Sequence, residues 1–278
     1  MLPLHKKHIL LTGLIALLLM LAACSTPGQA SSSPTPAQTV QNSVKAMSQL
    51  NSVHIDLQAS LKLASSTSNG GVTYTVAGHG DTATPDQVSM NLSLGQQPVL
   101  AVISKDQKVY VQTKNGTWYS VDKSQIKDGA QGFFSQSLAT RLGQLMAIAQ
   151  NAKLTDHGQE TVNGVSLDHI TATLDAQTLQ TLSSQLNGLL PAKAQSGQNK
   201  ITGATLDLWV DSSTSYVHQA VLDLVTQVDA NALQAATGQS TGSASGTLPL
   251  EVKAQLNFSK FNQPVNIQAP ANAVPLTQ

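Results

Sequence analysis

A single cysteine, Cys24, in 278 residues leaves no partner for an intramolecular disulfide. Stability must come from a packed core, which a chain of this length can supply. Charge is sparse as well: Asp, Glu, Lys and Arg make up 11% of the residues, and Arg141 is the only arginine. The formal net charge is +0, and it becomes −2 once Lys6 and Lys7 are set aside with the N-terminal segment. With no basic patch, nucleic acid is not an expected partner. Electrostatic adhesion to anionic headgroups is not expected either. Aromatic residues are only 4% of the chain, so a site walled by flat rings is disfavoured.

The motifs of catalysis are missing too. His54, His79, His157, His169 and His218 form no HExxH, and none has a second histidine three or four positions on, so no metal site is expected. Asp168 and His169 are adjacent, but neighbours on a strand point to opposite faces and cannot act as a dyad. Gly164-Val165-Ser166-Leu167 does not complete a nucleophile elbow. Only two glutamates, Glu160 and Glu251, are available for paired-carboxylate work. Gly70-Gly71 and Gly78-His79-Gly80 lack the strand, loop and helix frame of a phosphate site. The expectation is a protein with no catalytic residues and no cofactor.

What is present is concentrated first at the N-terminus. His5, Lys6, Lys7 and His8 precede an apolar run over 9–22, which ends at Leu21-Ala22-Ala23-Cys24. As a helix, 9–23 would be about 22 Å long, short of a ~30 Å hydrocarbon core. A basic start, a short apolar stretch and small residues at the end fit a secretory signal. Leu-Ala-Ala-Cys resembles the bacterial lipobox, whose cysteine thiol is alkylated with diacylglycerol before cleavage ahead of it. That resemblance implies a signal peptide over 1–23 and acyl groups such as palmitate on Cys24. Cys24 would then anchor the chain firmly to the outward face of the cell membrane, since two acyl chains hold where one does not. Residues 25–36 (STPGQASSSPTP) read as a flexible tether of roughly 20 Å.

Beyond the tether the hydrophobic period alternates between 3.6 and 2. Thr35-Pro36 marks a helix start, with Val40, Val44 and Met47 on one stripe. Val53, Ile55, Leu57, Ala59, Leu61 and Leu63 then alternate with polar residues, which predicts a half-buried strand. Further strands follow at Val72–Val76, Val88–Leu94 and 99–103, the last apolar on both faces. Asn115-Gly116 predicts a tight hairpin between 108–113 and 117–121, with positive φ at both turn residues. A helix is expected over about 135–151, with Leu138, Leu142, Leu145, Met146 and Ala149 on its face. Strands 153–162 and 165–174 turn at Asn163-Gly164. Asp175 caps a third expected helix bearing Leu179, Leu182, Leu186 and Leu189. A long hairpin, 202–210 and 215–228, precedes a short helix expected near Asp229. Val252, Ala254, Leu256 and Phe258 mark the last long strand, and 265–267 ends the ordered part. The polar segments 191–200 and 238–247 read as loops, the second mobile, which could gate an opening. The fold class is α+β: a strongly curved antiparallel sheet wrapped over two to three helices.

Three stretches carry a family likeness: 164–175 (GVSLDHITATLD), 206–224 (LDLWVDSSTSYVHQAVLDL) and 258–270 (FSKFNQPVNIQAP). With the lipobox and the order of elements, they resemble the LppX/LprG-type lipoproteins over roughly 37–270. The resemblance implies a half-barrel sheet like that of the periplasmic carrier LolA, with an apolar cavity that takes lipid or lipoglycan acyl chains toward the cell envelope. Residues 37–270 would form one such domain and 271–278 a C-terminal tail. The candidate cavity lining is Val53, Ile55, Leu57, Val88, Met90, Leu142, Leu145, Met146, Leu182 and Leu186, because flexible Leu, Val and Met suit acyl chains. The alternative is a structural or sensory envelope lipoprotein with a solid core and a protein partner.

Overall fold

The computed structural model describes residues 34–63, 71–126, 146–147, 149–150, 152–180, 200–229 and 247–276. By its internal contacts the chain divides into Met1–Thr35 and Pro36–Gln278. Among the described residues the second unit shows one complete α-helix and one sheet. Helix α1 spans Pro36–Ser48, with proline at its first position, where no backbone donor is needed. It buries Thr39, Val40, Ser43 and Met47. The buried Ser43 hydroxyl donates to the Thr39 carbonyl at 2.9 Å, so that hydroxyl is satisfied beneath the helix.

The strands are β1 (Ser52–Leu63), β2 (Val72–Ala83), β3 (Gln87–Leu94), β4 (Gln97–Lys105), β5 (Lys108–Gln112), β6 (Trp118–Asp122), β7 (Lys153–Val162), β8 (Val165–Thr173), β9 (Lys200–Val210), β10 (Val217–Asp229), β11 (Thr247–Ser259) and β12 (Val274–Pro275). They form one 12-stranded sheet in the order β12-β6-β5-β4-β3-β2-β1-β11-β10-β9-β8-β7. The two ends of this order do not pair, so the sheet is open. Every neighbouring pair is antiparallel except β12 and β6, which run parallel.

The turns show where local chemistry settled the path. Asn163 and Gly164 both have positive φ (51° and 81°), as a two-residue hairpin requires. Asn115-Gly116 departs from the expected form. Only Gly116 has positive φ, and the Gly116 amide donates to Thr113 at 2.9 Å while the Thr113 amide donates to Thr117 at 3.1 Å. The Asn115 side chain accepts from the Thr117 amide at 3.1 Å, which fixes the wider loop. Asp106 and Gln107 turn tightly at φ 49° and 63° without a glycine.

One expectation about the C-terminal end changes. Strand β10 runs to Asp229 and β9 opens at Lys200, while the short helix expected near Asp229 lies outside the described residues. The sequence after Pro270 carries no periodicity and is expected to be a tail, yet Val274–Pro275 extends the sheet beside β6. The path to that edge is tied at intervals. The Asn262 amide donates to the Ser52 carbonyl at 2.8 Å, and Lys105 Nζ donates to the Ile267 carbonyl at 2.7 Å. The segment therefore straps the strand ends from β1 to β6. A two-residue parallel strand carries no alternation, which is why the sequence hid it.

Of the expected helices, α1 is described in full. The second and third are described only at 146–147 and 149, and at 176–180. The start of the third is as anticipated: the Asp175 carboxylate accepts from the Thr178 amide at 2.8 Å. That bond, with a second from the Thr178 hydroxyl, holds the Asp175 pKa below its ordinary value.

Candidate functional site: the apolar inner face of the sheet

Side chains alternate across a strand, so register decides which residues share a face. On β1 one face carries Val53, Ile55, Leu57, Ala59, Leu61 and Leu63. Across β11 these residues meet Phe258 at Ile55, Leu256 at Leu57, Ala254 at Ala59 and Val252 at Leu61. From β11 the row continues on β10 with Ala220, Leu222 and Leu224, then on β9 with Leu208, Leu206 and Ala204. Toward the other edge, Leu57 meets Gly78, Ala59 meets Val76 and Leu61 meets Tyr74 on β2. Gly80 and Gly78 then meet Met90 and Leu92 on β3. The result is a nearly continuous hydrocarbon wall across the sheet.

Burial along this wall has a direction. At the end that meets α1, Val40, Met47, Val53, Ile55, Met146, Ile170, Leu208 and Phe258 form one packed cluster. Ile55 and Leu208 are both 0% exposed there. Farther along the strands, Leu57, Leu61, Leu63, Val76, Leu92 and Leu250 are only half-buried. At the far end Val72 is 51% exposed and Leu94 43%. A second, smaller cluster of Leu174, Ala204 and Leu224 packs under Val252 and Ile201. Among the described residues the wall is packed under α1 at one end and half-buried to exposed over β1, β2 and β3 at the other, while Leu248 on β11 is buried.

Strands β2 and β3 approach closely at two glycines of β2. A Cβ on Gly78 would lie 2.6 Å from Leu92 Cδ2, and one on Gly80 would lie 2.1 Å from the Ser89 carbonyl oxygen. Only glycine lets β3 fold this close over β2.

The lining residues chosen from sequence divide into three groups. Val53, Ile55 and Met146 fall in the packed cluster, at 1%, 0% and 3% exposure. Leu57, Val88 and Met90 are half-buried on the wall beyond it. Leu142, Leu145, Leu182 and Leu186 lie outside the described residues. The sequence reading did not select Leu61, Leu63, Tyr74, Val76, Leu92, Leu250, Val252 or Leu256 for the wall. Alternation within β1 and β11 was visible for several of them, but pairing across the sheet was not.

The outer face is polar and heavily cross-linked near β7. His169 stacks on Trp209 at 4.3 Å between ring centroids and on His157 at 4.5 Å. Its two ring nitrogens contact Glu160 at 2.9 Å and Asp207 at 3.1 Å. Trp209 Nε1 donates to Glu160 at 2.9 Å. The acids that engage His169 come from other strands, while Asp168 pairs toward Val210 on the opposite face. Among the described residues no group of three or more His, Cys, Asp and Glu is placed to hold a metal.

The Trp209 indole and then the His169 ring hold the Glu160 carboxyl below its usual range. A depressed carboxyl pKa stabilises the fold above the unfolded value, and that stabilisation fades as pH falls through the folded value. Glu160→Gln is therefore expected to lower the melting temperature near neutral pH and to flatten the acid limb, the two profiles converging once pH falls below the folded value. Parallel profiles for parent and variant would contradict this coupling.

A family model described as the LppX_LprAFG lipoprotein matches residues 35–267. The chain belongs to this family. Among solved structures, LppX of Mycobacterium tuberculosis matches with 16% identity and a TM-score of 0.48, covering 84% of this chain and 98% of that one. LprF of Mycobacterium bovis matches with 17% identity and a TM-score of 0.46, covering 86% and 99%. A LolA superfamily protein of Nitrosomonas europaea matches with 11% identity and a TM-score of 0.25, covering 82% and 93%. No curated protein matches the sequence. The membership rests on the sequence match, which spans α1 through Ile267. In this LppX_LprAFG chain the family-like stretch 206–224 supplies the second half of β9, its turn and the first half of β10, and 258–270 supplies much of the strap.

Proposed function

We propose that this lipoprotein is anchored through Cys24 to the extracytoplasmic face of the membrane and holds acyl chains against the inner wall of its sheet. It carries them from the membrane toward the cell envelope. One observation supports this best: the hydrocarbon wall is packed under α1 yet half-buried to exposed from Leu57 outward to Val72 and Leu94. An apolar face left open on a small protein marks a binding surface. Each methylene moved from water onto it contributes about 0.8 kcal/mol, so one long chain suffices for capture. The wall offers burial and dispersion, not acids or nucleophiles, which favours a carrier over an enzyme.

A structural lipoprotein with a solid core is the second reading. It fits the closed end, where Val53, Ile55 and Met146 are at most 3% exposed. It leaves the half-buried rows on β1, β2, β3 and β11 without a purpose.

Two measurements separate these readings. A diazirine-bearing palmitoyl phospholipid, activated by light, is expected to label peptides from β1, β2, β3 and β11 on the inner-face parity. Labelling confined to the outer face, or none, would favour the second reading. For the anchor, Cys24→Ala is expected to abolish incorporation of labelled palmitate and to move the exported chain from the membrane to the soluble fraction. A variant that stayed on the membrane would contradict the anchor. Among the described residues no helix is long and apolar enough to cross a membrane.

A further inference from the structure

The outer face of β1, β2, β3 and β11 carries a second concavity, opposite in parity to the hydrocarbon wall. Asp56 meets His79 across β2 and Asn257 across β11, and His79 meets Asn91 on β3. With Gln58 and Ser93, these side chains line a solvent-open groove of about 510 Å³. That volume is within the ~300–1,000 Å³ of small-ligand sites.

The groove stands out by what its side chains leave unused. Elsewhere on this face long polar residues pair across strands: Lys62 with Glu251 at 3.1 Å, Lys253 with Asp223 at 3.3 Å, Gln219 with Asn257 at 2.9 Å. Gln58, His79 and Asn91 make no side-chain hydrogen bond with any described residue, so their donors and acceptors face the groove or solvent. Asp56 is steadied from beneath. His54, whose Nδ1 is 2.7 Å from Asp81, places Nε2 at 3.6 Å from the Asp56 carboxylate.

This set selects a ligand class. No lysine or arginine lines the groove, so an anion finds no counter-charge. One carboxylate accepts from two adjacent hydroxyls, and carboxamides both donate and accept. The flat His79 ring offers a face for C–H groups. A peptide is disfavoured on two counts: these are interior strands whose backbone groups are already paired, and Ala77 and Pro98 give shallow apolar anchorage. We infer that the outer groove binds a neutral saccharide chain while the inner wall faces the acyl ligand.

The test uses the full lipoprotein in phospholipid nanodiscs. Mannotetraose, maltotetraose and cellotetraose are titrated, together with a monoacyl mannoside, and the bound lipid load is read separately by extraction. At least one free tetrasaccharide is expected to bind at millimolar concentration or tighter. His79→Ala and Asn91→Ala, both exposed substitutions, are each expected to weaken it at least fivefold with the lipid load unchanged. Binding by no free tetrasaccharide, or binding unmoved by both variants, overturns the proposal. Binding of the acylated mannoside alone also overturns it, because the sugar would then be following its acyl chain. A protein that bears no lipid yet binds a tetrasaccharide through His79 and Asn91 supports the groove and counts only against the acyl reading.

Discussion

Replacing Leu61 with glutamate is expected to strip the protein of bound lipid while leaving it folded. Leu61 sits midway along the wall, between Tyr74 on β2 and Val252 on β11. It is half-buried and belongs to neither packed cluster, so its replacement removes no core contact. A glutamate there stays hydrated in the empty protein. With an acyl chain across it, the carboxylate loses water without gaining a partner, at a cost of several kcal/mol. Since ~1.4 kcal/mol is a factor of ten in affinity, the lipid recovered per protein should fall at least tenfold. Leu61→Met, which keeps volume and hydrocarbon character, should retain the parent load. Circular dichroism and melting temperature should match the parent in both variants. An undiminished load in Leu61→Glu would show that the chain does not lie along this wall.

The second large effect concerns the close approach of β3 to β2 beside the wall. In Gly80→Ala the new methyl group meets backbone atoms, the Ser89 carbonyl oxygen at 2.1 Å and Met90 Cα at 2.9 Å. Backbone cannot rotate aside as a side chain can, so β2 and β3 must part. Overpacking of this kind costs roughly 3 kcal/mol. For a domain of this size that corresponds to a fall of ~6–12 °C in melting temperature. Gly203→Ala is the matched control on β9, because nothing lies within 4 Å of its added Cβ. It is expected to stay within about 0.5 kcal/mol of the parent. Equal losses in the two variants would mean that the close approach of β3 is not what Gly80 is needed for.

The strands were legible where a face is apolar over several residues. β1 and β11 carry unbroken alternation, and the Asn163-Gly164 turn announces its own geometry. Register across the sheet was not legible, because pairing partners such as Ile55 and Phe258 are far apart in sequence. That gap explains the lining residues. Alternation assigns Val53 and Ile55 to the inner face but cannot say that α1 covers that end of it and leaves Leu61 open. It also explains His169: its acidic neighbours, Glu160 and Asp207, are brought by β7 and β9, whereas the sequence offered only Asp168. In sequence, Gly78-His79-Gly80 shows only that it lacks the frame of a phosphate loop. In the fold its glycines admit β3, and His79 points into the outer groove.

Native mass spectrometry of the purified chain beginning at Ser25, with solvent extraction of the same sample, tests the acyl-carrier account most directly. The account predicts a discrete acylated adduct near one per protein, released on extraction, and regained when the stripped protein meets phospholipid vesicles. A bare protein mass that does not shift after incubation with those vesicles would contradict it, and the exposed inner wall would then have to be the seat of a protein partner.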